Sequence, residues 1–470
     1  MREDQSTSGA KGQPQAAGRR THFGSKLGVV LAAAGSAVGL GNVWRFPFET
    51  GNHGGAAFIL IYLVSVLILG IPIMIGEFLV GRRSRANTAG AYRTLAPGTR
   101  WNWVGRLGVL SGFLILSYYS VVGGWTLNYI IEAATGSLVG KSPQEFIDTY
   151  NGFVTGPLWP VLWLVIFLLG THFVIVRGVQ RGIERSAKIL MPVLFILLIV
   201  LAVCSVCLPD AGRGLAFLLK PDWGKVNADV FLGAIAQAFF SLSLGMGCLC
   251  TYASYFRDDT NLVKTAVNVS AIDTLVAILA GFIIFPAAFS VGIQPDAGPG
   301  LIFITLPNVF QQAFGAWPAV AALLSVMFYI LLALAALTSA ISLHEVPTAY
   351  VSEEFGLTRK QAARVVTAGC VVLGVLCSLS LGVGRELTVF GLTLFDLFDF
   401  VTAKIMLPVI GFFVAIFVGW KLDRKAVWEE ISNRGTVNPI LYQIIVFILR
   451  FIAPLGILLI FINELGLLGH

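Results

Sequence analysis

Charge is what this sequence has least of. Asp, Glu, Lys and Arg make up only 12% of its residues, while 56% are hydrophobic; water-soluble domains carry about 25% charged residues. A mean hydropathy of +0.83 over 470 residues therefore excludes an ordinary soluble domain and points to a polytopic membrane protein. Histidine is scarce as well: His22, His53, His172, His344 and His470 stand far apart, with no nucleophile or metal spacing beside them, so no catalytic set is legible and no enzyme is expected. Cysteine is limited to six residues, including the close pairs Cys204/Cys207 and Cys248/Cys250. Neither pair has a second Cys or His pair nearby to complete a metal site, so both read as helix packing. The +7 net charge is no nucleic-acid footprint either, because the basic residues fall in short clusters between apolar runs, as the positive-inside rule demands.

What is present is a series of apolar stretches about 20 residues long. They predict eleven membrane-spanning helices, at 26–52, 55–81, 107–135, 158–176, 184–208, 228–257, 262–291, 318–354, 360–382, 387–420 and 438–463. The segment 299–316 is too short and interrupted to span, and suits a helical loop on the outer surface. Residues 1–25 are polar and hold too little apolar surface to fold, so they are expected to be a disordered cytoplasmic tail. A signal peptide is the competing reading, since Leu27–Ala34 is apolar and a cleavage-like Ala-Ala-Ala-Gly-Ser-Ala follows, but it would leave an odd glycine-rich mature terminus. Arg82, Arg83, Arg85, Arg93, Arg100 and Arg106 after the second span, Arg177, Arg181, Arg185 and Lys188 after the fourth, and Lys421, Arg424 and Lys425 after the tenth all fall on one side. The N-terminus is thus predicted to be cytoplasmic and the C-terminus extracellular.

The first span contains Gly35-Ser-Ala-Val-Gly-Leu-Gly-Asn-Val-Trp-Arg-Phe-Pro47, with three glycines, a proline, an asparagine and an arginine in thirteen residues. Gly costs about 1 kcal/mol and Pro about 3 in a helix interior, so this helix should break inside the membrane. Opened backbone is tolerated there only where it is buried in protein or lines a cavity. A second break, Ser241-Leu-Ser-Leu-Gly-Met-Gly-Cys248, opens the sixth span about 200 residues later. Each break begins a five-span group, 26–208 and 228–420, with 438–463 as an eleventh helix. Because five is odd, the two groups have opposite topology, a pattern that places a transport site between the broken helices.

The first-span motif resembles the signature of the neurotransmitter:sodium symporter family nearly residue for residue. Gly70-Ile-Pro-Ile-Met-Ile-Gly-Glu77, Tyr118-Tyr119, Gln237-Ala-Phe-Phe-Ser-Leu-Ser-Leu-Gly-Met-Gly247, Thr251-Tyr-Ala-Ser-Tyr255 and Leu337-Thr-Ser339 extend the likeness from about residue 20 to 463. The resemblance implies an all-α fold of two inverted five-helix repeats with helices 1 and 6 broken. It also implies sodium-coupled uptake of small amino-acid-like substrates by alternating access, in the cytoplasmic membrane of a bacterium, with no obligate protein partner. Many members have twelve spans; eleven are found in some bacterial members.

For the substrate, the resemblance assigns the amides at Leu40 and Gly41 and the Tyr119 hydroxyl to a carboxylate, and the carbonyls of Ala37, Phe240 and Ser241 with the Ser243 hydroxyl to an ammonium. Monoamine-carrying relatives have an aspartate where Gly39 stands, so glycine here leaves room for a substrate's own carboxylate. Ile115, Phe240, Met246, Ser339 and Leu343 would line the side-chain pocket. Such apolar walls discriminate by about 1–3 kcal/mol per methylene, and the Gly-Met-Gly arrangement resembles a bacterial branch that carries several hydrophobic amino acids. Hydrophobic L-amino acids are therefore expected, with a small polar or non-proteinogenic amino acid, or a sensor without transport, as alternatives. Tyr119 and Met246 also admit a plain packing role.

Two sodium ions are implied. The first would take the Ala37 carbonyl, Asn42, Ser241 and Asp273; the second would take carbonyls of Gly35, Val38 and Ala335 with the hydroxyls of Thr338 and Ser339. Asp273 replaces the family's usual asparagine, and Ala277 stands where some chloride-independent bacterial members have a glutamate, so the negative charge is moved by one helical turn. This predicts chloride-independent transport, against the alternative of a protonated structural Asp273. Arg45, Asp399 and Gln237 resemble the outer gate, and Arg20, Tyr255 and Glu353 the inner one. Glu77 matches a glutamate that supports the broken sixth helix, and Gly182 and Pro192 resemble a pair that lets the fifth helix unwind. A channel would need a continuous polar pore, whereas the polar residues here cluster at one level.

Overall fold

A computed structural model describes residues 21–292, 300–314 and 317–464. Among these residues the chain is helical apart from one isolated bridge between Val389 and Leu392. Nine helices are long and apolar enough to cross a membrane: Ala56–Ser84, Asn102–Ala134, Trp159–Val176, Val179–Val206, Leu262–Ser290, Pro318–Phe355, Arg359–Ser380, Leu394–Lys421 and Pro439–Asn463. A tenth span is the pair Lys26–Ala37 and Gly41–Asn52, bent by 56° at the break. The predicted sixth span is two pieces, Ala228–Ser241 and Cys248–Ala253, and the count reaches eleven only when these are taken as one.

Local chemistry explains both breaks. In the first, Ser25 caps the opening helix by accepting from the Gly28 N–H, and the helix stops where Val38 turns extended (ψ 111). The chain then re-enters as a wide turn over Gly41–Arg45, in which the Phe46 N–H reaches back to the Gly41 carbonyl; such i→i+5 turns recur at functional sites. In the sixth span, Ser243, Gly245 and Gly247 take positive φ values of 54, 78 and 72, a region costly for any residue but glycine. The strain at Ser243 is offset by its hydroxyl, which donates to the Ser36 carbonyl at 2.9 Å.

Several boundaries differ from the sequence reading: the third span begins at Asn102 rather than 107, and the fifth at Val179 rather than 184. The tenth helix begins at Leu394, capped by Thr393, rather than at 387, because Phe390 (φ 54) and Gly391 (φ 78) turn the chain there. The segment expected as a helical loop does hold two short helical pieces, Leu301–Thr305 and Leu306–Phe314; Phe303 stacks on Tyr150 and Tyr329 and meets Trp125 edge-on. Of the tail expected over 1–25, residues 1–20 lie outside the described residues. The rest is packed: Phe23 is buried among Tyr252, Tyr255 and Phe256, and its N–H donates to the Tyr255 carbonyl at 3.1 Å.

Around the breaks stands a frame in which Asn102–Ala134 packs along Pro318–Phe355 and against Trp159–Val176, and Arg359–Ser380 packs on both. The frame carries a buried ion pair that the sequence reading missed. Glu345, with no exposure, accepts from both Arg359 Nη atoms at 2.8 and 2.5 Å and from the Tyr255 hydroxyl at 2.7 Å, which satisfies both carboxylate oxygens where water is excluded.

Candidate functional site

The two breaks face each other across one cavity of about 270 Å³, near the lower end of small-molecule sites. Ala37, Leu40, Gly41, Ile115, Tyr119, Phe240, Ser241, Ser243, Met246, Ser339 and Leu343, the whole set expected to touch substrate, line it. At its polar end the Leu40 N–H donates to the Tyr119 hydroxyl at 3.3 Å, so donors from the first and third spans meet at one point. This point is the positive end of the Gly41–Asn52 half-helix, where an anion is favoured. The glycines here answer to space: a Cβ on Gly39 would lie 2.6 Å from Ser339 Oγ, and one on Gly41 2.8 Å from Phe240 Cε1.

Two oxygen-rich clusters flank the cavity. In the first, Asp273 is fully buried and accepts from Asn42 Nδ2 at 2.7 Å, from Ser241 Oγ at 2.7 Å and from the Tyr62 hydroxyl at 3.5 Å. Asn42 also donates to Ser241 Oγ at 3.1 Å, while its Oδ1 accepts from the Gly39 N–H at 2.9 Å. Residues 42, 241 and 273, from three spans, thus form one buried knot of hard oxygens around a carboxylate, chemistry that suits an alkali or alkaline-earth cation. In the second cluster, Ser339 Oγ donates to the Val38 carbonyl at 2.9 Å, and Thr338 Oγ1 lies 3.0 Å from the Ala335 carbonyl and 3.4 Å from that of Val38. Gly35 closes this cluster, since a Cβ there would be 3.3 Å from Thr338 Cβ.

The residues expected to form the gates are divided. Asp399 lines the far end of the cavity together with Phe395 and Asp396, and the Tyr118 hydroxyl donates to it at 3.0 Å. Arg45 is elsewhere: it pairs with Glu49 at 3.6 Å and sits over the Phe240 ring at 4.6 Å. Among the described residues no ion pair joins Arg45 to Asp399. Gln237 is fully buried with neither side-chain nitrogen nor oxygen partnered, a costly arrangement. At the other end Arg20 lies outside the described residues. Tyr255 donates to Glu345, while Glu353 accepts from the Asn87 backbone at 2.8 Å and its side chain at 3.0 Å. Glu345 is therefore a partner of Tyr255 that the resemblance did not name. Glu184 fastens the start of the chain there by accepting from the Gly24 N–H at 2.6 Å and Ser25 Oγ at 2.8 Å.

Glu77 accepts from the Gly245 N–H at 2.7 Å, tying the second span to the break in the sixth; Thr88 adds a bond to the Gly247 carbonyl at 3.0 Å. Gly182 lies in a wide turn over Val179–Glu184, with the Val174 carbonyl where a Cβ would be, and Pro192 lies inside the helix that follows. Ser36, Trp44, Tyr118, Val122, Phe395 and Asp396 line the cavity without having been expected to. For Tyr118 the signal was present, as one of two consecutive tyrosines, but only the helix rotation shows that they face different partners.

A family model described as the sodium:neurotransmitter symporter family matches residues 20–153 and 154–468. The chain is 38% identical over 450 residues to an uncharacterized sodium-dependent transporter, YhdH, of Bacillus subtilis, covering 95% of this chain and 98% of that one. It is 35% identical to an uncharacterized sodium-dependent transporter of Haemophilus influenzae, over 95% and 98% of the two chains. Among solved structures, MhsT in complex with L-phenylalanine matches with a TM-score of 0.86 and 44% identity, covering 95% of this chain and all of that one.

Proposed function

Since the chain belongs to the sodium:neurotransmitter symporter family, we propose that it imports hydrophobic L-amino acids together with sodium, by alternating access and without chloride. The observation that carries this reading is the meeting of two broken helices at one cavity whose polar end offers N–H and hydroxyl groups and whose walls, Ile115, Phe240, Met246 and Leu343, are apolar. The L-phenylalanine in the MhsT structure is of the matching chemical class.

In this mechanism a substrate carboxylate takes the place that the Tyr119 hydroxyl and the Leu40 N–H now fill for each other, and Ser243 with the carbonyls of Ala37, Phe240 and Ser241 takes the ammonium. Sodium binds at the Asn42, Ser241, Asp273 cluster with the Ala37 carbonyl, and a second sodium at Gly35, Val38, Ala335, Thr338 and Ser339. Each ion holds the first span to a different part of the frame. Asp273 supplies the negative charge that chloride would otherwise bring. Closing of the outer gate brings Arg45 to Asp399, and the unpartnered Gln237 amide is placed to join them. Tyr255, Glu353 and Arg20 hold the inner end until Gly182 and Pro192 allow the fifth span to open. The chain is oriented with the arginine-rich loops and the N-terminus in the cytoplasm and the C-terminus outside, and comprises repeats 26–208 and 228–420 with 438–463 added.

Uptake of labelled amino acids into proteoliposomes, with sodium replaced by potassium and chloride by gluconate, tests the reading. Hydrophobic amino acids should accumulate only with a sodium gradient and equally well in gluconate. Uptake that is the same in potassium would remove the symport reading.

A further inference from the structure

Arg45, Glu49 and His53 follow one another at four-residue intervals, the first two on the last turns of the first span and His53 just past its end at Asn52. The two oxygens of Glu49 are shared between them: Oε1 lies 3.6 Å from Arg45 Nε, and Oε2 lies 3.2 Å from His53 Nδ1, which is also 2.9 Å from the Glu49 backbone carbonyl. The three side chains are 24%, 15% and 22% exposed, buried enough for the charges to feel one another yet open to exchange protons with the medium.

His53 is held in place. Its ring stacks on Phe58 at 5.5 Å with an angle of 18° and covers Gly233 of the sixth span, where a Cβ would be 3.2 Å from the ring. The charged groups around it are Glu49 on its own helix, Asp229 at the start of the sixth span, and Lys225. The Lys225 side chain packs on Gly54, while its ammonium pairs with Asp222 at 3.6 Å.

We propose that Glu49 is a brake on the outer gate, holding Arg45 away from Asp399, and that a proton taken from the outside by His53 releases it. The inference rests on the gate reading given above. In this conformation neither gate residue is free: Glu49 and the Phe240 ring hold Arg45, and Tyr118 holds Asp399. Closing has to exchange these contacts for the Arg45–Asp399 pair. When His53 is charged it competes for the Glu49 carboxylate and weakens the hold on Arg45; when it is neutral Glu49 turns its full charge on Arg45. His53 lies beyond the last residue of the span, and its bond to the Glu49 carboxylate, with Asp229 adding, raises its pKa above the usual imidazole value against the opposing effect of burial. It is therefore cationic below that raised pKa and neutral above it, so the brake engages as the external pH rises through that value.

Two measurements on the full-length protein test this. Initial sodium-driven uptake of L-phenylalanine, with internal pH fixed and external pH varied from 5.5 to 8.5, should fall about two- to fivefold toward the alkaline end, the size expected of a partly exposed ion pair. E49Q should be flat at the fast level, H53Q flat at the slow level, and E49D should keep the slope. The second measurement needs no transport: the rate at which an impermeant maleimide labels I115C in a C207S background, with sodium and L-phenylalanine present, should be lower at acid pH and pH-independent in E49Q. An H53Q variant that keeps the slope, or E49Q and H53Q displaced in the same direction, would overturn the brake, as would pH-independent labelling of I115C itself. Absent uptake with pH-dependent labelling would instead remove the symport reading and leave the brake standing.

Discussion

At Gly39 and Asp273 a single atom separates this site from one of different chemistry. The Cβ of an alanine at 39 would stand 2.6 Å from Ser339 Oγ and 3.2 Å from the Tyr119 hydroxyl, displacing two groups that serve different clusters. Gly39→Ala should therefore leave a folded protein whose uptake is lowered on the order of 100-fold, the effect of an ångström-scale misplacement; near-normal uptake would show that the contact yields cheaply. Asp273→Asn preserves shape but removes the charge held by Asn42, Ser241 and Tyr62. Uptake by this variant should be lost in gluconate and recover in chloride. Activity in gluconate equal to that of the parent would count against a chloride-replacing role.

Elements are held by polar ties between spans that the hydrophobic effect alone could not orient, since lipid is as apolar as the helix faces. The pair of Glu345 with Arg359 joins the eighth span to the start of the ninth and, through the Tyr255 hydroxyl, to the chain just after the second piece of the sixth, Cys248–Ala253. Glu345→Gln leaves Arg359 partly buried without its counter-charge, and removing one partner of such a pair costs about 3–5 kcal/mol. A clear drop in the midpoint of thermal unfolding in detergent is expected, and an unchanged midpoint would mean that water reaches the guanidinium. This tie was not legible beforehand. Arg359 lies at the edge of a predicted span, where a charge needs no partner, and only packing folds the thirteen intervening residues, 346–358, so that Glu345 meets it.

At the scale of the whole molecule, both oxygen clusters include atoms from the broken first span, and the cavity between the breaks touches both through Ser241 and Ser339. Ligands that complete one another's sites are coupled reciprocally. Sodium should raise the affinity for L-phenylalanine, and L-phenylalanine should raise the affinity for sodium by the same factor, in equilibrium binding to purified protein. Binding of L-phenylalanine that ignores sodium would show that the clusters do not communicate through the cavity.

Hydropathy and backbone propensity act within a turn or two, so they are readable in one dimension. They placed the apolar spans to within a few residues in most cases, and the glycines at 35, 39 and 41 with those at 245 and 247 marked where two helices break. The resemblance to the family then named most, not all, of the residues that line the cavity; Ser36, Trp44, Tyr118, Val122, Phe395 and Asp396 were not among them. What depended on tertiary structure was the partner of each polar group. Tyr118 and Tyr119 are neighbours in the chain, yet helix rotation sends one hydroxyl to Asp399 and the other to Leu40. Arg45 is held by Glu49 rather than by Asp399, because in this conformation the nearer carboxylate is the one a single turn away on its own helix. Apart from Arg45 with Glu49, these pairings join residues far apart in sequence, and their energies exist only once the spans have packed.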